Sequence, residues 1–427
     1  VINKMKIKAL SLTNFKGFKQ VSFDFDGKNI LISGINGCGK SSVLEAITLI
    51  LSKLASNYTP NKALLFSEEA IKNKTSQSSI KVELYYKDQV NSISLSKKRA
   101  NKSRGTSPSV FSKKDAEHLI TDLIEIVNQE DGNIPIIVNY PTQRNVIDVP
   151  VRIKKRHKFE QVSSYDEAFH SGVSFRTFFE WYRNEEDLEN ERKLNDNLNF
   201  EDKKLFAVRT AIYSFLPGFS NLRMMRSRQK MVIEKNGETL SVNQLSDGEK
   251  CLLALIGDLA RRLALANPKD DNPLNGLGIV IIDEIDLHLH PSMQRRVMEN
   301  LSKTFPNIQF IITTHSPQVI GSADDFINFF LSKDLNDDEK IREIKATLFG
   351  KDSNLILEEY METSSRDPEI QKVLDQLFTF LSKKDLESSR RLYNNLQNTL
   401  DSSEPLLVKA DFLLKRMERM SEHEKNN

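Results

Sequence analysis

Gly34-Ile35-Asn36-Gly37-Cys38-Gly39-Lys40-Ser41-Ser42 follows the apolar run Ile30-Leu31-Ile32 and precedes Val43, Leu44, Ile47, Ile50 and Leu51 at helical spacing. The stretch fits GxxxxGK[ST] between a short buried strand and an amphipathic helix, the setting in which a glycine loop wraps phosphate. Glycines are needed there because backbone N–H groups must reach an anion without a Cβ in the way. Lys40 is placed to contact β- and γ-phosphates, and the Ser41 hydroxyl suits Mg²⁺. The helix that starts at Ser41 adds its positive N-terminal dipole. Asn36, Gly37, Cys38, Gly39 and Ser42 complete the loop. Cys38 reads as inert at a free position, or as an oxidation-sensitive thiol if it is exposed.

Three pieces some 240 residues later answer this loop. Ile279-Val280-Ile281-Ile282 followed by Asp283-Glu284 reads as a buried parallel strand with two carboxylates at its C-terminal end. Asp283 suits a Mg²⁺ shell and Glu284 suits polarising an attacking water. The strand Ile308 to Ile312 runs into Thr313-Thr314-His315, where a neutral imidazole could contact a γ-phosphate. Leu245-Ser246-Asp247-Gly248-Glu249-Lys250 holds an S-x-x-E capping box, and Gly248 permits close approach of an anion to the helix N-terminus. His288 and His290 lack a third ligand nearby and read as structural.

The 427 residues, 39% hydrophobic and 28% charged, are enough for two or three domains with a sizeable core. No run of 18 apolar residues occurs, which predicts no membrane span. The start reads directly into a strand rather than a secretion signal. Cys38 and Cys251 are too few for a disulfide framework, so a cytoplasmic protein is expected. The net charge of +2 hides basic clusters at Lys97 to Arg99, Arg152 to Lys158 and Arg223 to Lys230. Each would suit nucleic-acid phosphates or simply a solvated loop.

Strands are expected over 7 to 34, where Val21, Phe23 and Phe25 alternate with polar residues, and over 134 to 140. Ile80 to Tyr86 with Ile93 and Leu95 predicts a second small sheet. Residues 163 to 216, with Phe175, Phe178, Phe179, Trp181 and Tyr182, read as a helical insertion without the heptads of a long coiled coil or a CxxC hook. Asn236-Gly237 between β-branched runs signals a hairpin. Residues 249 to 266 predict an alanine- and leucine-rich helix. Ile370, Val373, Leu374, Leu377 and Leu381 share one helical face, with further helices expected at 385–399 and 405–420.

The order of these pieces resembles the ABC-type ATPases, and within them the SMC and recombination-repair branch. Asn14-Phe15-Lys16-Gly17-Phe18 is similar to that branch's N-terminal motif, which implies that Asn14 and Lys16 approach the nucleotide. Asp283 to Pro291 is similar to its Walker B and D-loop run, which puts Asp286 at a dimer seam. Gln143 is the candidate for the family's Q-loop glutamine. The resemblance implies an α/β fold: an ABC-ATPase head, a mixed sheet with a P-loop core, carrying a helical insertion and a C-terminal helical extension. The corresponding boundaries are 1–162 for the N-terminal lobe, 163–225 for the insertion, 226–350 for the C-terminal lobe and 367–427 for a partner-docking region. It also implies ATP and Mg²⁺ as ligands. In this architecture Ser246, Gly248 and Glu249 serve the site of a second copy, so a homodimer or higher homo-oligomer is expected.

A closer resemblance spans nearly the whole chain. Phe178 to Arg183, Leu216-Pro217-Gly218-Phe219, Gln244 to Cys251 and Asp352-Ser353-Asn354 resemble the ATPase subunit of Septu-type anti-phage systems, which also occurs with retrons. That implies a companion HNH-type nuclease and, in retron versions, a reverse transcriptase with its RNA–DNA hybrid. No nuclease centre of its own is expected, because the tail after residue 330 lacks the sheet a Toprim domain needs. A repair ATPase binding duplex DNA is the alternative, disfavoured by the missing coiled coil. LSDGEK in place of LSGGQ argues against a transporter.

Overall fold

A computed structural model describes residues 4–100, 107–129, 132–142, 158–169, 175–195, 197–333, 339–344, 348–361, 366–401 and 403–425. The chain forms two compact units, Val1–Ser353 and Asn354–Asn427.

The first unit opens with β1 (Met5–Phe15) and β2 (Phe18–Asp24), followed by β3 (Asn29–Gly34) and α1 (Lys40–Ala55). Phe23 and Phe25 are buried beside exposed Ser22 and Asp24, the alternation of a strand with one solvated face. Next come β4 (Gln77–Tyr86), β5 (Gln89–Lys98), β6 (Val110–Ser112), α2 (Glu117–Asn128) and β7 (Ile136–Tyr140). Strands β2-β1-β4-β5-β6 form one antiparallel sheet. The expected separate small sheet therefore includes β1 and β2 as well, because the alternating burial of β1 matches that of β4 rather than the wholly buried pattern of β3.

Residues Phe175–Asn195 (α3) and Lys203–Phe215 (α4) are helical, and then β8 (Phe219–Met225) is a strand inside the stretch read as a helical insertion. It pairs with β9 (Lys230–Lys235), which turns through Asn236 (φ 51°) and Gly237 (φ 87°) into β10 (Glu238–Ser241). Both turn residues lie in the left-handed region that such a two-residue hairpin requires. Phe178, Phe179, Trp181 and Tyr182 are buried, so this aromatic motif is packing. A Cβ at Gly257 would come within 2.8 Å of the Phe178 ring.

The chain continues through α5 (Asp247–Ala266), β11 (Gly278–Ile282), α6 (Pro291–Thr304), β12 (Ile308–Thr313), the single turn α7 (Pro317–Ile320), β13 (Phe326–Lys333) and β14 (Glu339–Ile344). The second sheet runs β14-β13-β3-β12-β11-β7, parallel except for antiparallel β14 at one edge. It is a mixed sheet of an α/β fold, with the phosphate-loop strand β3 among its central strands. In α5 every residue from Cys251 to Ala266 is buried, charged Asp258, Arg261 and Arg262 included.

After the turn α8 (Ser353–Leu355), the second unit contains α9 (Pro368–Ser382), α10 (Leu386–Gln397) and α11 (Pro405–Lys425). Leu374, Leu377, Leu381, Leu396, Leu407, Ala410 and Leu414 form its core. Asp367 and Asp385 accept backbone N–H bonds at the starts of α9 and α10, which fixes where those helices begin. Among the described residues no helix is long and apolar enough to cross a membrane.

Candidate nucleotide site

Strands β3, β12 and β11 are parallel neighbours, with Thr313 level with Ile32 and Ile282 level with Ile312. Their C-terminal ends therefore lie along one sheet edge, where ligands of open α/β sheets bind. The Thr314 N–H donates to the Ile32 carbonyl at 3.1 Å, and this joins the Thr313-Thr314-His315 segment to the strand that delivers the glycine loop.

In the loop, Gly37 (φ 77°) and Gly39 (φ 88°) occupy left-handed backbone, and Gly39 leads into α1. A Cβ at Gly34 would lie 2.3 Å from the Leu331 carbonyl of β13, so only glycine fits there. The buried Lys40 ammonium donates to the carbonyls of Gly34 (3.0 Å) and Ile35 (2.9 Å), folding back over its own loop. Burial pushes its pKa down, and Cys38 and the carboxylates of Glu284, Asp283 and Asp286 act against that. Asn36, Gly37 and Ser41 are exposed, and Gly39 and Ser42 are half-buried. Cys38 is wholly buried, which removes the exposed-thiol alternative.

Asp283 and Glu284 leave β11 beside the end of β12. The Thr313 hydroxyl donates to Asp283 Oδ1 at 2.5 Å and accepts the Glu284 N–H at 2.8 Å. The Ile285 N–H donates to the Thr313 carbonyl at 3.1 Å. These bonds hold Glu284 at φ 49°, a left-handed conformation unusual for a residue with a side chain. Glu284 Oε1 lies 3.8 Å from His315 Nε2. Burial and the Lys40 charge push the His315 pKa below the ordinary imidazole value, opposed by Glu284, Asp286 and Asp283, so the ring is neutral at neutral pH. Asp286 accepts the Thr314 hydroxyl (2.5 Å) and the His315 N–H (3.4 Å). Lys40, Asp283, Glu284, Asp286 and His315 thus converge. The carboxylate of Asp283 and the hydroxyl of Ser41 are hard oxygen donors of the kind Mg²⁺ takes.

Asn14 (φ 50°) and Lys16 (φ 49°) stand at the end of β1, and the Lys16 ammonium pairs with Glu45 on α1. Gln143 lies outside the described residues. Ser246 caps α5: its Oγ accepts the Glu249 N–H at 3.4 Å and its own N–H donates to Glu249 Oε2 at 2.9 Å. Glu249 is buried, and Lys235 donates to its other oxygen at 2.7 Å. Its carboxylate thus makes hydrogen bonds to Lys235 and Ser246 within its own chain. Exposed Ser246 and Asp247 remain at the helix tip. A Cβ at Gly248 would lie 2.6 Å from the His288 carbonyl, so the start of α5 rests on the loop after β11. His290 Nδ1 accepts the Ser292 N–H at 3.3 Å and caps α6, a structural role.

Sequence reading missed two connections. Thr313 was visible only as a neighbour of His315. Tyr140, at the end of β7, accepts the Asp283 N–H with its carbonyl (2.9 Å) and donates its hydroxyl to Asp258 on α5 (2.9 Å). Arg261 and Arg262 complete that buried cluster at 2.7 Å each. The signal was three charges, Asp258, Arg261 and Arg262, within the otherwise apolar stretch of α5 from Cys251 to Ala266. Two of the basic clusters are partly consumed internally: Arg223 pairs with Glu234, Arg226 with Asp187, and Arg99 donates to the Ile71 and Thr75 carbonyls.

A family model described as "AAA domain, putative AbiEii toxin, Type IV TA system" matches residues 30–321. The retron Ec83 probable ATPase of Escherichia coli is 31% identical over 95% of this chain and 86% of its own length. The chain belongs to the retron ATPase family. The retron Vc95 probable ATPase of Vibrio cholerae is 32% identical over 75% of this chain and 72% of its own length. The Septu protein PtuA of Bacillus mycoides is 24% identical over 93% of this chain and 51% of its own length. Among solved structures, the SMC head domain from Thermotoga maritima is matched at a TM-score of 0.44 and 16% identity, over 80% of this chain and 100% of that one. For a retron-family ATPase, the placement of the phosphate loop against two strand-end carboxylates is in keeping with nucleotide chemistry.

Proposed function

We propose that this chain binds and hydrolyses ATP between two copies, in the cytoplasm, as the nucleotide-controlled subunit of an anti-phage defence system whose effector is an HNH-type nuclease. The observation that carries the reading is the convergence of Lys40, Asp283, Glu284, Asp286 and His315 along one sheet edge, tied together by Thr313.

The glycine loop from Asn36 to Ser42 wraps the β- and γ-phosphates, and Lys40 leaves its own carbonyls to contact them. Ser41 and Asp283 would hold Mg²⁺, which would supply charge neutralisation to the phosphates. Glu284 orients and polarises water, and neutral His315 senses the γ-phosphate across from it. Asn14 and Lys16 border the nucleotide from β1. The partner copy's α5 tip, through Ser246, Gly248 and its backbone N–H groups, closes the site while Glu249 holds that tip in shape. Asp286 sits at the seam. The γ-phosphate biases such a two-state closure, which hydrolysis releases. The C-terminal helices over 367–427 dock the nuclease. A reverse transcriptase with its RNA–DNA hybrid is a further partner where the chain serves a retron.

The test is Glu284→Gln, purified with the products of its neighbouring genes in Mg-ATP. Retained ATP, a trapped dimer and hydrolysis lowered about 100-fold or more, the scale of a lost general base, are expected. Normal hydrolysis by this variant would overturn the catalytic assignment. Deleting 367–427 should release the nuclease and leave nucleotide binding intact.

A further inference from the structure

A groove of about 450 Å³ lies on the C-terminal unit between α9 and α11. Its apolar lining includes Phe378, Leu413, Met417 and Met420, and Lys384, Lys409 and Arg416 stand around it. Lys409, Leu413, Arg416, Met417 and Met420 fall at i, i+4, i+7, i+8 and i+11, so one face of α11 is both apolar and basic. This face differs from that of Leu407, Ala410 and Leu414, which the same helix buries in the unit's core, because Phe378, Leu413 and Met417 pack against that core and stay half-buried. Met420 is 51% exposed, an apolar side chain left to solvent beside the cations.

No carboxylate lines this groove among the described residues. Two nearby acids of α11 are paired with other cations: Asp411 with Lys415 at 2.6 Å and Glu418 with Arg390. Asp375 of α9 accepts from Gln371 at 3.0 Å. Among the described lining residues, the basic rim therefore meets no carboxylate. From Lys409 to Met420 the face is about 16 Å long at the rise of an α-helix, which matches three turns of a second helix.

We propose that this groove seats an amphipathic helix of a partner protein, with its apolar stripe on Phe378, Leu413, Met417 and Met420 and acidic residues on both flanks. The chemistry is helix-in-groove recognition: adaptable methionines fill an irregular floor and opposite charges set orientation. A nucleic acid fits less well. Phe378 is the one aromatic residue lining the groove, with the Lys409 ammonium 5.7 Å from its centroid, so the lining offers no series of rings on which successive bases could stack. The proposal rests on the reading of the C-terminal helices as the docking region and names the chemistry of what docks.

The test uses the full chain and a fluorescent, stapled 16-residue model helix with Leu and Phe at i, i+3, i+4 and i+7 and Glu on the flanks. A matched helix with Lys in place of Glu is the control. The acidic helix should bind about 10-fold or more tightly than the control, and Lys409→Glu with Arg416→Glu should reverse the ranking. Met420→Glu, at a side chain that is 51% exposed and outside the unit's core, should weaken the acidic helix as well. Equal binding of the two helices, indifference to charge reversal, or displacement by a single-stranded oligonucleotide would overturn the groove's assignment. Copurification with the neighbouring nuclease separates the two readings. If deletion of 367–427 releases the nuclease and the charge-reversed chain keeps it, the groove is wrong and the docking region stands. If the deletion keeps the nuclease while the helix preference holds, the nuclease reading is wrong and the groove stands.

Discussion

Thr313→Val replaces one wholly buried hydroxyl by a methyl group of nearly the same shape. The hydroxyl makes two bonds, donating to Asp283 at 2.5 Å and accepting the Glu284 N–H at 2.8 Å. A hydrogen bond to a charged group is worth about 1.5–3 kcal/mol and one to a neutral N–H about 1 kcal/mol. The variant should therefore lose roughly 3 kcal/mol of stability, with the cost concentrated where the two acids leave β11. Glu284 is also held at φ 49°, a conformation that costs about 1–2 kcal/mol outside glycine. Without the tether it relaxes and its carboxylate leaves the line to His315. Losing about 2.7 kcal/mol of positioning corresponds to roughly 100-fold in rate. Phosphate release under saturating Mg-ATP and denaturant unfolding measure the two effects separately. Thr313→Ser keeps the hydroxyl and should stay near wild type in turnover. If Thr313→Val turned over ATP at the wild-type rate, or if Ser were as damaging as Val, the reasoning would fail.

Asp258→Asn strips the charge that faces two buried guanidinium groups, so unfolding free energy should fall by about 3–5 kcal/mol in chemical denaturation. In the wild type, burial opposes ionisation of Asp258 but Arg262 and Arg261 prevail, and its pKa is held at about 2. That is below the unfolded value, so the contribution of order 2 kcal/mol is present above about pH 4 and is lost as pH falls from about 4 to 2. Acid titration of stability should be shallower over that window in Asp258→Asn than in the wild type. Gly248→Ala forces a Cβ to 2.6 Å from the His288 carbonyl, and this backbone cannot yield as a side-chain tip would. It should impair ATP-dependent dimerisation in analytical ultracentrifugation while ATP binding to the isolated chain persists; normal dimerisation would argue against contact between these two loops as a working part. Ser246→Ala removes one arm of the capping box and should cost about 1 kcal/mol in thermal unfolding, with turnover falling further than stability alone explains. Unchanged turnover would remove Ser246 from the site.

Much of the head was legible in the residues themselves. The glycine loop, the strand of three isoleucines and a valine with its two acids, the Asn236-Gly237 turn and the capping box at Ser246 are local patterns, each set by steric or hydrogen-bonding rules that span a few positions. The α9 and α11 faces were legible for the same reason. Four matters lay beyond such rules. β8 appeared helical by neighbourhood and became a strand because β9 offered it partners. β1 and β2 joined the antiparallel sheet rather than the phosphate-loop sheet. The Lys235 ammonium that meets Glu249 comes from β9, a contact that no pattern around Ser246 announces. Thr313 and Tyr140 carried no motif at all. Their roles come from parallel register, which sets Ile282 against Ile312 and Tyr140 and so brings Thr313 and the Tyr140 carbonyl against Asp283. Sequence determined which residues can do phosphate chemistry, because that depends on their own functional groups and immediate spacing. Only the tertiary structure decided which of them share one edge, because residues hundreds of positions apart meet through strand order and register, which no local periodicity encodes.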